Sequence, residues 1–209
     1  MTKQGVLLVV SGPSGVGKGA IIAELLRRHP EVHKSVSCTT RAPRPGEVEG
    51  DDYFFVTPAK FHELREQEGL LEWAVVHQDL QYGTPREPVE ASLTQGQDII
   101  LEIDYQGARS VRELMGDRAS LVFVAPPRWQ DLVSRLRGRS TEDEEATGKR
   151  LASAIHELAH VELFEYLIIN DDLEVAVTEL QAILLAERQR LDRLDWRPLV
   201  ERLREEASQ

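Results

Sequence analysis

The chain has 209 residues, about 1.4 times the usual length of a domain, so it holds one core with at most small excursions from it. Hydrophobic residues make up 41% and charged residues 29%, which suits a buried core and excludes a disordered tail, a collagen-like rod or a disulfide scaffold. The 25 Lys and Arg against 36 Asp and Glu leave a net charge of -11, which argues against a general binder of nucleic acid or anionic membrane.

Val6 to Val10 is a continuous β-branched and leucine run, which predicts a fully buried strand ended by Ser11, Gly12 and Pro13. It is too short for a secretory h-region, and no later window reaches the roughly 18 to 20 apolar residues of a spanning helix. Cys38 is the single cysteine, so no internal disulfide is available; a buried packing role in a reducing, cytoplasmic setting is expected. A helix follows from near Gly17, with Ile21, Ile22, Leu25 and Leu26 on one face and Arg27, Arg28 and His29 before the stop at Pro30.

From Ser35 to Gln95 the texture changes to short pieces separated by Pro43, Pro45, Gly46, Gly50, Pro58, Gly69, Gly83 and Pro85. Tyr53 to Val56 and Trp73 to Val76 read as strands, and Pro58 to Glu66 as a short helix with Phe61 and Leu64 inward. Buried strands resume at Ile99 to Ile103 and Leu121 to Val124, with a helix from Gly107 to Met115 between them. Trp129 to Leu136 is helical. Thr141 and Glu144 have capping-box spacing for a helix running to about Phe164. Leu167 to Ile169 is a last strand, Val175 to Leu191 a last helix, and Asp192 to Gln209 a charged end that caps or frays. His156 and His160 lie four apart but lack the acidic pattern of a zinc protease, so they are expected to be packed or exposed.

Gly12-Pro13-Ser14-Gly15-Val16-Gly17-Lys18 stands between a buried strand and a helix, which is the setting of a phosphate loop. Its glycines let backbone N–H groups turn toward a phosphate, the helix N-terminus adds a favourable dipole end, and Lys18 reaches the β and γ phosphates. The loop departs from pattern after the lysine. Gly19 and Ala20 stand where a Ser or Thr hydroxyl usually meets Mg²⁺, so either water fills that position or phosphates and more distant carboxylates hold the metal. Glu102 and Asp104, at the end of the strand Ile99 to Ile103, are the carboxylates in question, Glu102 being the better placed for contact through water.

From the phosphate loop to the final helix the chain resembles the guanylate kinase family. Besides the loop, the resemblance rests on Ser35-Val36-Ser37-Cys38-Thr39-Thr40-Arg41-Ala42-Pro43-Arg44-Pro45-Gly46-Glu47, Asp52-Tyr53-Phe54-Phe55, Leu71-Glu72-Trp73-Ala74, Tyr82-Gly83-Thr84, Glu102-Ile103-Asp104-Tyr105-Gln106-Gly107 and Ile169-Asn170-Asp171-Asp172. The resemblance implies an α/β fold with a three-layer P-loop core around a parallel sheet, a small α+β acceptor-nucleotide domain and a helical lid. It implies a core from 1–34, 96–127 and 160–192, a GMP-binding subdomain over 35–95, a lid over 128–159 and a tail over 193–209. The implied reaction is transfer of the ATP γ-phosphoryl group to GMP with Mg²⁺, in the cytoplasm, without nucleic acid, membrane or an obligate protein partner.

Carried over by position, Arg41, Arg44, Tyr53 and Tyr82 match phosphate-binding residues, and Ser37, Glu72, Thr84 and Asp104 match guanine-recognising ones. Residues 12 to 20 match the ATP loop, with Gly12, Pro13, Ser14, Gly15, Val16, Gly17, Lys18, Gly19 and Ala20 all included. Arg135, Arg139 and Arg150 match lid-side arginines on the transferring phosphates, and Asn170 a residue on the adenine side. The catalytic set is then Lys18, Arg41, Arg135, Arg139 and Arg150. The chemistry agrees: Arg41 and Arg44 supply rigid donor forks for a phosphomonoester, and Glu72 accepts from N1–H and the exocyclic amine of guanine. Two other readings are a guanylate-kinase-like protein-binding module and a monophosphate kinase of relaxed acceptor choice. The retained Lys18, arginines and Glu72 weigh against the first, and Glu72 with Asp104 against the second. The turn His77-Gln78-Asp79-Leu80-Gln81 is one residue longer than the family pattern.

Overall fold

The computed structural model describes residues 4–76, 79–137 and 144–208. In chain order the elements begin β1 (Leu7–Ser11), α1 (Lys18–Arg28), β2 (Val32–Lys34), β3 (Cys38–Thr39), β4 (Phe54–Phe55) and α2 (Pro58–Glu66). They continue β5 (Leu70–Val76), β6 (Leu80–Pro85), α3 (Arg86–Thr94), β7 (Asp98–Glu102), α4 (Tyr105–Met115) and β8 (Ala119–Ala125). The last are α5 (Trp129–Arg137), α6 (Glu144–Leu158), β9 (Tyr166–Ile169), α7 (Leu173–Glu187) and α8 (Arg197–Ala207).

The continuous apolar runs become the parallel core sheet, ordered β2-β7-β1-β8-β9. Strands covered on both faces read as unbroken hydrophobic runs, and β1 is buried along its whole length. Alternate residues serve two cores. Leu8, Val10 and Val122 pack with α1 and α7 through Ile22, Leu25, Val177 and Leu180. Leu7, Val9 and Leu121 pack on the other face with Val89 and Leu93 of α3 and with Ala108 and Val111 of α4. The chain passes from β1 to β2 on one side and later from β7 to β8 on the other, so the order reverses beside β1. Ligands of open α/β sheets bind outside the strand ends at such a reversal.

The segment between β2 and α3 forms a second, four-stranded sheet, ordered β4-β3-β6-β5. β3 pairs parallel with β4 and antiparallel with β6, and β5 and β6 make an antiparallel hairpin. Cys38, Phe61 and Leu70 form its small core, and burial pushes the Cys38 thiol up to about 11. Asp79 closes the hairpin at φ 73, while His77 and Gln78 of the long turn lie outside the described residues.

Several elements differ from the sequence expectation. The strand expected over Tyr53 to Val56 is only Phe54–Phe55, because its single partner β3 is itself two residues long. The strand expected from Trp73 begins at Leu70, and β6 and α3 were hidden by Gly83, Pro85 and Pro88. Pro85 ends the hairpin as the residue that caps α3. Trp73 faces outward, 44% exposed, under the Arg65 guanidinium 3.6 Å from its ring centre. The long lid helix ends at Leu158 rather than Phe164, and Val161–Leu163 is a separate 3-10 turn. Its expected cap, Thr141, lies outside the described residues.

The C-terminal end is anchored rather than frayed. Arg193 is 5% exposed and donates to Glu187 at 3.0 Å, to Ser120 Oγ at 3.1 Å and to the Arg118 carbonyl at 3.1 Å. The Tyr166 hydroxyl donates to the other Glu187 oxygen at 2.6 Å. Beyond this anchor, α8 runs as an exposed helix with Pro198 in its first turn. Removing one partner of a buried ion pair strands the other charge. Arg193→Ala should therefore cost about 3–5 kcal/mol in urea unfolding; a loss below about 1 kcal/mol would show that the anchor is dispensable.

Candidate active site

The C-terminal ends of β1 and β7 and the edge of the second sheet enclose a cleft of about 440 Å³. Gly12, Ser14 and Lys18 line it from the loop, Glu102 and Asp104 from the end of β7, and Ser37, Tyr53 and Thr84 from the second sheet and its loops. The phosphate-loop, acidic and acceptor motifs thus converge from segments far apart in sequence.

The loop owes its path to close packing and to glycine. Gly12 lies at φ 136 against the Val124 carbonyl, and Gly17 at φ 104 is the residue that leads into α1. Inside the loop, the Val16 carbonyl accepts from Asn170 Nδ2 at 2.7 Å and from Arg135 at 3.0 Å. Arg135 also donates to the Asn170 carbonyl at 3.0 Å, so the ends of β9 and α5 are strapped to the loop. Lys18 folds back onto the carbonyls of Gly12 and Pro13. Burial lowers its pKa, and the facing charges of Glu157, Glu102 and Asp104 oppose that shift.

On the acceptor side, Thr84 Oγ1 donates to Glu72 Oε1 at 2.6 Å. The other Glu72 oxygen lies against the first turn of α4, where a Cβ on Gly107 would stand only 3.2 Å away. A carboxylate is favoured at a helix N-terminus, and the missing side chain at Gly107 admits it. Burial nevertheless pushes the Glu72 carboxyl above its ordinary value, with the Thr84 bond pulling the other way. Asp104 caps α4, accepting from Gly107 N at 2.8 Å, which leaves its second oxygen for other partners.

Arg41 is held in place. Glu47 grips it with two bonds, of 2.7 and 2.9 Å, and also accepts from Arg44 N at 2.7 Å. The Arg41 guanidinium stands 5.4 Å from the Tyr53 ring centre, and Tyr53 packs edge-on against Tyr82 at 5.9 Å. Tyr53 thus joins the cleft lining to Arg41, whose Nε is buried and unpartnered among the described residues.

Of the lid arginines, Arg135 lies on α5 and Arg150 on α6, and Arg139 falls outside the described residues. Sequence reasoning missed four contributors: Glu47, Lys34, Asp52 and Glu157. Lys34, Asp52 and Glu157 line the cleft, and Glu157 is 7% exposed with Ser153 Oγ 3.3 Å away. Seven residues separate Arg150 from Glu157, two turns on one face of α6, a pattern visible once that helix is placed. Of the two histidines, His160 stacks on Tyr105 at 4.2 Å and its Nδ1 meets the His156 backbone carbonyl at 2.7 Å, while His156 is itself exposed.

No group of three or more metal-binding side chains converges among the described residues. Glu102 still fits a Mg²⁺ held mainly by phosphates and water, since its Oε1 stands 3.6 Å from where a Cβ on Gly19 would lie. Mg²⁺ commonly needs only one or two protein carboxylates in such sites.

A parallel sheet with a glycine-rich loop and lysine between β1 and α1, beside Glu102 at the end of β7 and Asp104 at the cap of α4, defines a P-loop nucleotide-binding protein. Comparison narrows the class: residues 4–187 match the family model described as guanylate kinase. A guanylate kinase of Cutibacterium acnes is 50% identical over 176 residues, covering 84% of this chain and 88% of that one. One from Caldanaerobacter subterraneus is 45% identical over 191 residues, 91% of this chain and 92% of its own. The crystal structure of guanylate kinase from Anaplasma phagocytophilum superposes with a TM-score of 0.76 at 35% identity, over 96% of this chain and 95% of that one. The chain belongs to the guanylate kinase family.

The double duty of Asp104 is separable. Asp104→Ala should lose the cap and about 1 kcal/mol of stability, whereas Asp104→Asn keeps it. Equal melting of the two variants would refute the capping assignment.

Proposed function

We propose that this chain transfers the γ-phosphoryl group of ATP to GMP, giving ADP and GDP. The observation that carries the reading is Glu72, which accepts from Thr84, a residue that lines the same cleft as the loop lysine Lys18. Guanine offers two adjacent donors, N1–H and the exocyclic amine, and an ionised Glu72 accepts both. Adenine has no such pair on that edge. Ser37 and the second oxygen of Asp104 complete the base site, and Arg41, Arg44, Tyr53 and Tyr82 take the GMP phosphate.

The donor lies on residues 12–20, with Asn170 and Arg135 at the adenine end. Lys18 exchanges its own-loop carbonyls for the β and γ phosphates. A GMP phosphate oxygen attacks the γ phosphorus in line, and the bond to the bridging oxygen breaks with its electron pair leaving on ADP. Such transfer is mostly alignment and charge compensation, so no side chain is needed as a strong base. Arg41 arrives already clamped by Glu47, which spares the entropy of ordering it. Arg139 and Arg150 of the proposed lid over 128–159 are assigned to the transferring phosphates, with exclusion of water, a competing acceptor, while Arg135 keeps its hold on the loop. Glu102 would hold Mg²⁺ through water, the free oxygen of Asp104 being taken by the base. When bound, that ion draws charge from the β and γ phosphates.

In this scheme 35–95 is the acceptor subdomain, 1–34, 96–127 and 160–192 the core, and 193–209 the tail. The reaction needs no nucleic acid, membrane or obligate protein partner, and its setting is the cytoplasm. Among the described residues no helix is long and apolar enough to cross a membrane.

The test is coupled ADP formation from ATP with GMP or AMP as acceptor, with and without Mg²⁺, alongside free phosphate. GMP should be preferred by roughly 10³-fold or more in kcat/KM, because a site built to pair a donor edge is left unsatisfied by the wrong base. Glu72→Gln should collapse that preference. Protonation removes the acceptor, so GMP use should fall as the pH drops through the raised Glu72 value, starting above the ordinary carboxylate range. No transfer to GMP by folded protein, or equal use of AMP, would refute the reading.

A further inference from the structure

Lys34 ends β2 beside the cleft, and its Nζ donates to Glu102 Oε2 on the neighbouring strand β7 at 2.7 Å. Lys34 is 47% exposed and Glu102 24%, so the pair sits at the solvent side of the cleft rather than in the core. Both Glu102 oxygens lie beside Gly19, Oε1 at 3.6 Å and Oε2 at 3.9 Å from where a Cβ there would stand. That position is where a phosphate loop usually carries the hydroxyl that meets a divalent cation. The carboxylate that must stand in for this hydroxyl is therefore already shared with an ammonium group.

We propose that Lys34 is a positioning residue that sets the cation affinity of the nucleotide site. It holds the Glu102 carboxylate beside Gly19, and it weakens divalent-cation binding by occupying Oε2 and by like-charge repulsion. The inference rests on the ATP and GMP reading of the cleft. A positive charge a few ångströms from a second cation is costly even where solvent screens it, and the effect is largest at low salt. Asp52, Asp104 and Glu157 line the same cleft together with Lys18, so removal of Lys34 leaves four carboxylates, Glu102 included, facing one ammonium.

The experiment is an electron paramagnetic resonance titration of Mn²⁺ into the full chain with a non-hydrolysable ATP analogue, at low salt. Lys34→Met should bind Mn²⁺ about threefold to tenfold tighter than the unmodified chain. Lys34→Arg should stay within about twofold, because it restores the charge. Lys34→Met combined with Glu102→Gln should lose the gain. If Lys34→Met does not fold, Lys34→Gln carries the same expectation. Unchanged or weaker Mn²⁺ binding, or a gain that survives Glu102→Gln, would overturn the proposal. GMP phosphorylation by the unmodified chain is measured on the same preparation. Its absence defeats the functional reading, whereas turnover with unmoved Mn²⁺ affinity defeats only the role of Lys34.

Discussion

The shape of the phosphate loop depends on one carbonyl group. Val16 sits in a tight turn where no helix or strand claims its oxygen, and a buried backbone acceptor without a partner is costly. Asn170 and Arg135 both supply that partner, from the end of β9 and from α5. The loop is thus tied to β9 and α5, and Gly12 passes against the Val124 carbonyl without room for a side chain. Lys18, the cleft floor and the start of α1 inherit their positions from this strap.

Charge in the molecule is arranged by site and not by total. In a chain with a net charge of -11, the cleft lining sets Lys18 and Lys34 among Asp52, Glu102, Asp104 and Glu157, and the nucleotide binding proposed there draws on these two ammonium groups with Arg41 and Arg44. Carboxylates fix these cations: Glu47 clamps Arg41, and Glu102 holds Lys34. Glu72 is the exception. Its partner is the hydroxyl of Thr84 and not a cation, and in the proposed reaction its charge serves the donor edge of guanine.

Much of this was legible in the sequence. The buried runs at Val6 to Val10, Ile99 to Ile103 and Leu121 to Val124 have the texture of strands covered on both faces, and each became a core strand. The loop, Glu72 with Thr84, and Glu102 with Asp104 were readable because each lies in a short contiguous motif. The small sheet was harder. Gly83 and Pro85 break the periodicity of β6, although glycine is needed there, since a Cβ would stand 2.9 Å from the Glu72 carbonyl. Lys34, Glu157 and Arg193 escaped notice because each acts across long sequence separations, such as the 68 residues between Lys34 and Glu102. Pattern along the chain carries no signal for a partner that only the sheet order brings near.

The central claim is that Lys18 exchanges the loop's own carbonyls for donor phosphates while Glu72 takes the acceptor base. A crystal structure with GMP and a non-hydrolysable ATP analogue tests both at once. The account predicts Lys18 Nζ on the β and γ phosphates, Glu72 on N1 and the exocyclic amine of guanine, and the Val16 strap intact. Lys18 remaining on Gly12 and Pro13 with the triphosphate bound elsewhere, or guanine turned away from Glu72, would contradict it.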